Sequence, residues 1–125
     1  MTDLSTINLD DACAYLSQRD KGLARIITDV GACTLEIRSN RSVFEYLCRS
    51  IVYQQLSGKA AGTIHGRMLD LFVRRRARAE ALLDMPMERL RSAGLSRSKS
   101  LALYDLSERQ VSGLLPTRRR LNQMT

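Results

Sequence analysis

The stretch from Ser42 to Phe72, S-V-F-E-Y-L-C-R-S-I-V-Y-Q-Q-L-S-G-K-A-A-G-T-I-H-G-R-M-L-D-L-F, constrains this chain more than any other. Phe44, Leu47, Cys48, Ile51, Val52 and Gln55 fall at i, i+3, i+4, i+7, i+8 and i+11, the period of a helix with a broad apolar stripe. Ser42 followed by Glu45 reads as a capping box. The hydroxyl accepts from an orphan backbone N–H, and the carboxylate reaches back to the Ser42 N–H. Ser57 is the N-cap of a second helix, whose Ala61, Ile64, Met68, Leu71 and Phe72 keep the same period. The two helices form an αα-hairpin with Gln54-Gln55-Leu56-Ser57 at its corner.

Gly58, Gly62 and Gly66 lie four apart and so share one face of the second helix. Each glycine costs a helix roughly 1 kcal/mol relative to alanine. Three on one face predict that another backbone, of protein or nucleic acid, comes close there.

At 125 residues the chain is one domain or part of one. Its 44% hydrophobic content permits a core. No apolar run approaches the ~20 residues a membrane span needs. The opening M-T-D-L-S-T-I-N-L-D has neither a basic n-region nor an apolar h-region, so no signal peptide is expected and a soluble, cytoplasmic protein is. Cys13, Cys33 and Cys48 are widely spaced, with no C-x-x-C pair and no Cys/His metal spacing, and read as free buried thiols. His65, the single histidine, reads as a helix-face residue rather than a ligand.

Charge is unevenly placed. Residues 1–73 carry eight Lys/Arg and eight Asp/Glu, whereas 74–125 carry twelve and five, so the whole net charge of +7 sits in the second part. Arg74, Arg75, Arg76, Arg78 and then Arg118, Arg119, Arg120 supply most of it. Such runs suit phosphate contact, and they equally suit solvated linkers.

Along the chain, Asn8 caps a helix through about Arg19 with Leu9, Ala12, Cys13 and Leu16 as its stripe. Asp20 caps a shorter one with Leu23, Ile26 and Ile27 inward, ending near Gly31. Cys33, Leu35 and Ile37 alternate as in a brief extended segment. After the hairpin, Ala79–Leu83 makes a turn or more of helix. Pro86 opens another as its first residue, with Met87, Leu90 and Ala93 inward and Gly94 closing it. Ser96 caps a helix carrying Leu101, Leu103, Tyr104, Leu106 and Val111, ended by Gly113 and Pro116. Thr125 reads as the cap of a helix about to start. The expected fold is an all-α helical bundle of six or seven helices.

Q-Q-L-S-G-K-A-A, preceded by F-E-Y-L-C-R-S-I-V-Y and followed by M-L-D-L-F, resembles the helix-hairpin-helix DNA glycosylases, most closely the 3-methyladenine glycosylase II branch. A-G-L-S-R-S-K-S-L-A-L-Y-D-L, Ala93 to Leu106, is similar to a second block of that family at the expected distance. The resemblance covers roughly 42–125. It implies an N-terminal helical segment over 1–40 and, over 41–125, the first part of the glycosylase domain, cut off before the hairpin. It further implies double-stranded DNA with alkylated or abasic lesions as partner, no cofactor and no metal. Monomeric action in a cytoplasm of bacterial type, on the nucleoid, is also implied.

Enzymes of this family extrude the target nucleotide at a cost of a few kcal/mol and fill the gap with a side chain. By resemblance Gln55 is the inserted residue, with Gln54, Leu56 and Ser57 beside it. The alternative is that residues 54 and 55 merely end a helix and Ser57 is only a cap, which explains Ser57 but not two consecutive glutamines at a short turn. Tyr53 lines a base pocket on one reading and rests its ring on a neighbouring helix on another. Lys59 contacts phosphate beside a helix N-terminus, or is a plain exposed lysine.

The resemblance also marks what is absent. The family's hairpin, roughly L-x-G-[IV]-G, has no counterpart, since no Gly-x-Gly occurs in the chain. The catalytic aspartate beyond it is missing too, and Asp70, Asp84 and Asp105 carry no pocket signature to replace it. No residue here is therefore assigned a catalytic role, and the 125-residue chain is expected to be inactive and marginally stable alone. The alternative is a non-enzymatic helical DNA-binding protein, with Ser57–Met68 as the recognition helix of a helix-turn-helix. The glycine face would waste recognition positions in that arrangement. A small helical bundle with an interaction role is the third reading.

Overall fold

A computed structural model describes residues 7–38 and 40–124. These form helices and no strand: α1 (Leu9–Arg19), α2 (Lys21–Val30), α3 (Val43–Tyr53), α4 (Gly58–Leu69), a 3-10 turn (Val73–Arg75), α5 (Ala79–Leu83), α6 (Met87–Ser92), α7 (Arg97–Val111) and α8 (Arg118–Gln123). No helix among them is long and apolar enough to cross a membrane. The chain divides into two units, one of residues 1–39 with 122–125 and one of 40–121.

In the first unit the caps act as the side chains dictate. Asn8 Oδ1 accepts from the Asp10 and Asp11 N–H groups at 3.0 and 3.1 Å. Asp20 closes α1 and opens α2, its carboxylate accepting from the Gly22 and Leu23 N–H groups. Gly31 ends α2 at φ 92°, where glycine carries no Cβ penalty. Burial departs from the pattern. Leu23 and Ile26, expected inward, are exposed, Ile26 by 57%. α1 and α2 pack on each other, but neither buries a residue fully, so part of each apolar stripe stays exposed. Residues 33–37 alternate in sequence but form no strand, having no neighbouring strand to pair with among the described residues.

The second unit holds the core. Phe44, Cys48 and Val52 from α3, Met68 from α4, Leu82 from α5, Leu90 from α6, and Leu103 and Leu106 from α7 are all buried in one cluster. The longest helix, α7, packs on α3, α5 and α6, and α3 also packs on α4. Ser100 and Ser107 occupy fully buried positions on α7, while Leu101 is 48% exposed and Val111 54%. The small serines let neighbouring helices approach. Each hydroxyl is satisfied four residues back, Ser100 by Ser96 O at 2.9 Å and Ser107 by Leu103 O at 2.8 Å, so its burial carries no unsatisfied group. Tyr104 Oη donates to Met85 O at 2.6 Å, tying α7 to the turn before α6.

Several local expectations shift by a residue or more. Pro86 is the N-cap of α6 rather than its first residue. A short helix that the sequence did not suggest, α8, starts at Arg118 with Thr117 as its cap, the Arg120 N–H donating to Thr117 Oγ1 at 3.2 Å. Thr125 lies outside the described residues. Of the three thiols only Cys48 is buried; Cys33 is exposed and Cys13 half-buried. Burial, with Glu45 nearby, pushes the Cys48 thiol up to about 12, which makes it an inert packing group.

The capping box forms as expected. The Glu45 N–H donates to Ser42 Oγ at 3.2 Å, and the Ser42 N–H donates to Glu45 Oε2 at 2.9 Å. Glu45 is also 7% exposed and receives Arg76 through two bonds, Nε at 3.0 Å and Nη2 at 2.9 Å, with Arg41 Nη1 at 3.3 Å. Burial alone would raise its pKa. The Arg76 guanidinium, the Ser42 N–H and the Ser42 hydroxyl outweigh it and hold the carboxyl down at about 2. The stabilisation is therefore fully present above the ordinary carboxylate value and is lost as pH falls from about 4.5 towards 2. Glu45→Gln is expected to lower unfolding free energy by about 2 kcal/mol at pH 7, since Arg76 and Arg41 can still reach water. The gap from wild type in urea melts should close towards pH 2.

Gly94 supplies a second test. Its φ is 107°, and a Cβ there would lie 3.0 Å from Ile64 Cγ1 on α4. Gly113 has φ 75° and open space around it. Gly113→Ala should cost only the left-handed backbone, about 1–2 kcal/mol. Gly94→Ala should cost at least about 1 kcal/mol more, because Ile64 must move. Equal losses in urea melts would mean that the α6–α7 turn is not pressed against α4.

Candidate nucleic-acid interface

The corner of the hairpin is built by three backbone changes in succession. α3 stops at Tyr53, and Gln54 turns extended at φ −55°, ψ 129°. Gln55 then adopts φ 57°, the left-handed region. Ser57 returns to φ −63°, ψ 153°, and its hydroxyl accepts from the Ala60 N–H at 3.3 Å to start α4. A left-handed residue with a Cβ costs about 1–2 kcal/mol, and such residues gather at functional sites. Gln55 thus belongs to the turn rather than to the α3 stripe that its spacing suggested. Gln54, Gln55, Leu56, Ser57 and Lys59 all stand exposed on this one short segment. The Lys59 ammonium has no partner among the described residues.

What holds the corner is a residue not singled out in the sequence. Lys99 Nζ donates to Val52 O and to Gln54 O, each at 2.8 Å. These carbonyls belong to the last turn of α3, where the helix leaves its acceptors unpaired. Lys99 comes from the first turn of α7, its N–H held by the Ser96 cap at 3.2 Å. A cation in a helix's first turn opposes the macrodipole, whereas one at a helix C-terminus is favoured by it. Lys99 offsets the first effect with the second. The signal was present in the sequence: α7 opens R-S-K with no acid in its first turn, against the usual charge order. Gln54, Gln55, Ser98 and Lys99 line an open depression beside the corner.

Tyr53 is half-buried, with its ring packed against α4: its centroid is 6.0 Å from that of His65, edge to face. Its hydroxyl lies 3.4 Å from where a Cβ would stand at Gly62. The glycine face meets no protein backbone, since Gly58 faces open space and Gly62 and Gly66 meet only side-chain tips. Of the two occupants that the sequence suggested, a protein backbone is therefore excluded among the described residues. Burial, then the charges of Arg49, Arg41 and Arg75, push the His65 imidazole down from its ordinary value.

The carboxylates are committed elsewhere. Asp70 is paired with Arg75, and Asp105 with Arg109 at 2.9 Å; both are exposed. Asp84 is the C-cap of α5.

No family model matches the chain. DNA-3-methyladenine glycosylase 1 of Schizosaccharomyces pombe is 31% identical over 124 residues, which cover 94% of this chain and 53% of that protein. The structure of a 3-methyladenine DNA glycosylase from the same yeast, in complex with abasic DNA, superposes with a TM-score of 0.82 at 30% identity over 92% of this chain and 57% of that one. The crystal structure of a DNA-3-methyladenine glycosidase from Bacillus halodurans gives 0.64 at 35% identity, over 79% and 45%. The chain spans about half the length of these relatives. Over that half, in sequence and in all-helical fold, it is a homologue of the 3-methyladenine DNA glycosylases.

Proposed function

We propose that this chain serves base-excision repair of alkylated DNA and that its hairpin corner is the part that enters the duplex at a lesion. The observation that carries the reading is the exposed, left-handed Gln55, in a turn whose Val52 and Gln54 carbonyls are held by Lys99, on a homologue of enzymes that excise 3-methyladenine. A short rigid turn with one projecting amide suits insertion into a gap in the stack, because the ordering cost is met before binding. Its carbonyl and NH2 can hydrogen-bond the orphaned opposite base. Leu56 adds an apolar edge against neighbouring bases. Lys59 and the N-terminus of α4 suit a phosphate alongside.

The reaction proposed is hydrolysis of the N-glycosidic bond of bases such as 3-methyladenine. Water oxygen bonds to C1′, the C1′–N bond breaks, and its electron pair goes to the base. That pair neutralises the positive charge alkylation had placed on the ring, so the base leaves without prior protonation. The water proton passes to solvent. A carboxylate near C1′ would stabilise the developing charge on the sugar. Asp70 and Asp105, exposed and ion-paired, are not so placed. The chain's own residues contribute lesion engagement rather than the chemical step.

Two outcomes are expected. In fluorescence anisotropy the 125-residue polypeptide should bind a duplex containing an abasic-site analogue more tightly than the intact duplex, and Gln55→Ala should reduce that preference roughly tenfold. Equal affinity for both duplexes would sink the corner reading. Lys99→Met should lower both stability and abasic-site preference, since it frees the Val52 and Gln54 carbonyls and loosens the turn. Chromatography of alkylated DNA incubated with the polypeptide should show no free 3-methyladenine above background.

A further inference from the structure

Outside the corner, charged side chains also gather where α3 faces α4. Glu45, Arg49 and Tyr53 recur every four residues and share one side of α3. The Arg49 guanidinium stacks on the Tyr53 ring at 3.9 Å, and Tyr53 meets His65 edge to face. From the 3-10 turn, Arg75 brings a guanidinium nitrogen to 3.8 Å from the Cβ position of Gly66, the residue next to His65. The charges do not balance locally. Arg41 and Arg76 share the single carboxylate Glu45, and Arg75 faces Asp70. Arg49 meets only an aromatic face and has no carboxylate partner among the described residues. Cation–π contact holds such a guanidinium in place without neutralising it, leaving its outer N–H groups available. Arg75 is itself held by a left-handed backbone, at φ 54°, following Arg74 at φ 55°. Two consecutive left-handed arginines are a costly way to place a side chain that a plain linker could leave in solvent.

We propose that Arg49, His65 and Arg75 form a second anion site, beside the corner, that takes a phosphodiester of the DNA strand. The identity of the ligand as DNA rests on the function proposed above; the anion chemistry does not. A phosphate oxygen pair matches the Arg49 fork, and the ring beneath sets the fork's plane. Gly62 and Gly66 keep the α4 surface low on this side, so a strand can approach the helix backbone. At neutral pH the imidazole, kept uncharged by its burial and then by the surrounding arginines, is free to donate one N–H to the same phosphate.

His65 is the only histidine in the chain, so its imidazole resonances report this site alone. The test is a pH titration of those resonances by NMR for the free protein, with inorganic pyrophosphate, and with the abasic-site duplex. An anion seated among Arg49, Arg75 and His65 offsets the arginines' field and should raise the His65 midpoint by about half a pH unit or more. Both probes raising it supports the proposal. A midpoint unmoved by pyrophosphate and by a duplex whose binding is seen in anisotropy overturns the site and leaves the corner reading standing. A midpoint raised by pyrophosphate while no duplex binds keeps the anion site and overturns its assignment to DNA. No response to pyrophosphate and no duplex binding overturns both. As a second readout, Arg49→Gln should shrink the slope of log affinity against log salt by about one, with Arg49→Lys retaining it. Unchanged slopes in a normally melting Arg49→Gln protein would also count against the site.

Discussion

The bond from the Lys99 ammonium to the Val52 and Gln54 carbonyls is the interaction on which the candidate interface depends. It joins two helix ends of opposite dipole sense: the N-terminus of α7, where a cation is disfavoured, and the C-terminus of α3, where two carbonyls lack helical partners. One charged group thereby removes two penalties. The outcome is a helix end that stops cleanly and a turn that does not fray, even though its central residue is left-handed. A flexible loop carrying the same glutamines would have to be ordered at each encounter with DNA. This one is already ordered.

The same helix, α7, also organises the core. It packs on α3, α5 and α6 through Leu103 and Leu106, with Ser100 and Ser107 giving room for close approach. Core packing and corner geometry are therefore not separable. The segment that buries the apolar surface is also the one that carries the lysine. Glu45 performs a similar double service at the other end of α3, capping its own helix and gathering Arg41 and Arg76. It secures the start of α3 as Lys99 secures its finish, so the helix leading to Gln55 is held at both ends.

Much of this was legible in the residues because it is local. The Asn8, Asp20, Ser42, Ser57 and Ser96 caps depend on a side chain reaching N–H groups two or three residues on, and each forms as read. The terminating glycines Gly31 and Gly94 follow from backbone sterics alone. Leu23 and Ile26 were misread for a different reason. An apolar residue at helical spacing says that a face is available, not that a partner covers it. The α7 serines were overlooked because a hydroxyl satisfied within its own helix behaves as a small core residue, and composition does not show that.

By itself the sequence did not show α8, and it ran α4 on to Phe72 where the helix stops at Leu69. It determined the helices α1 to α7, the corner at residues 54–57, and kinship with the glycosylases through Q-Q-L-S-G-K-A-A and A-G-L-S-R-S-K-S. These are properties of short-range geometry and of contiguous motifs. Only the tertiary structure decided which groups meet across distance. Lys99 meets Gln54 from 45 residues away, Arg76 meets Glu45 from 31, and the Tyr53 ring lies between Arg49 and His65. A charged side chain carries no mark in sequence of the partner it will find. That is settled by which helix ends the packing of the core brings together.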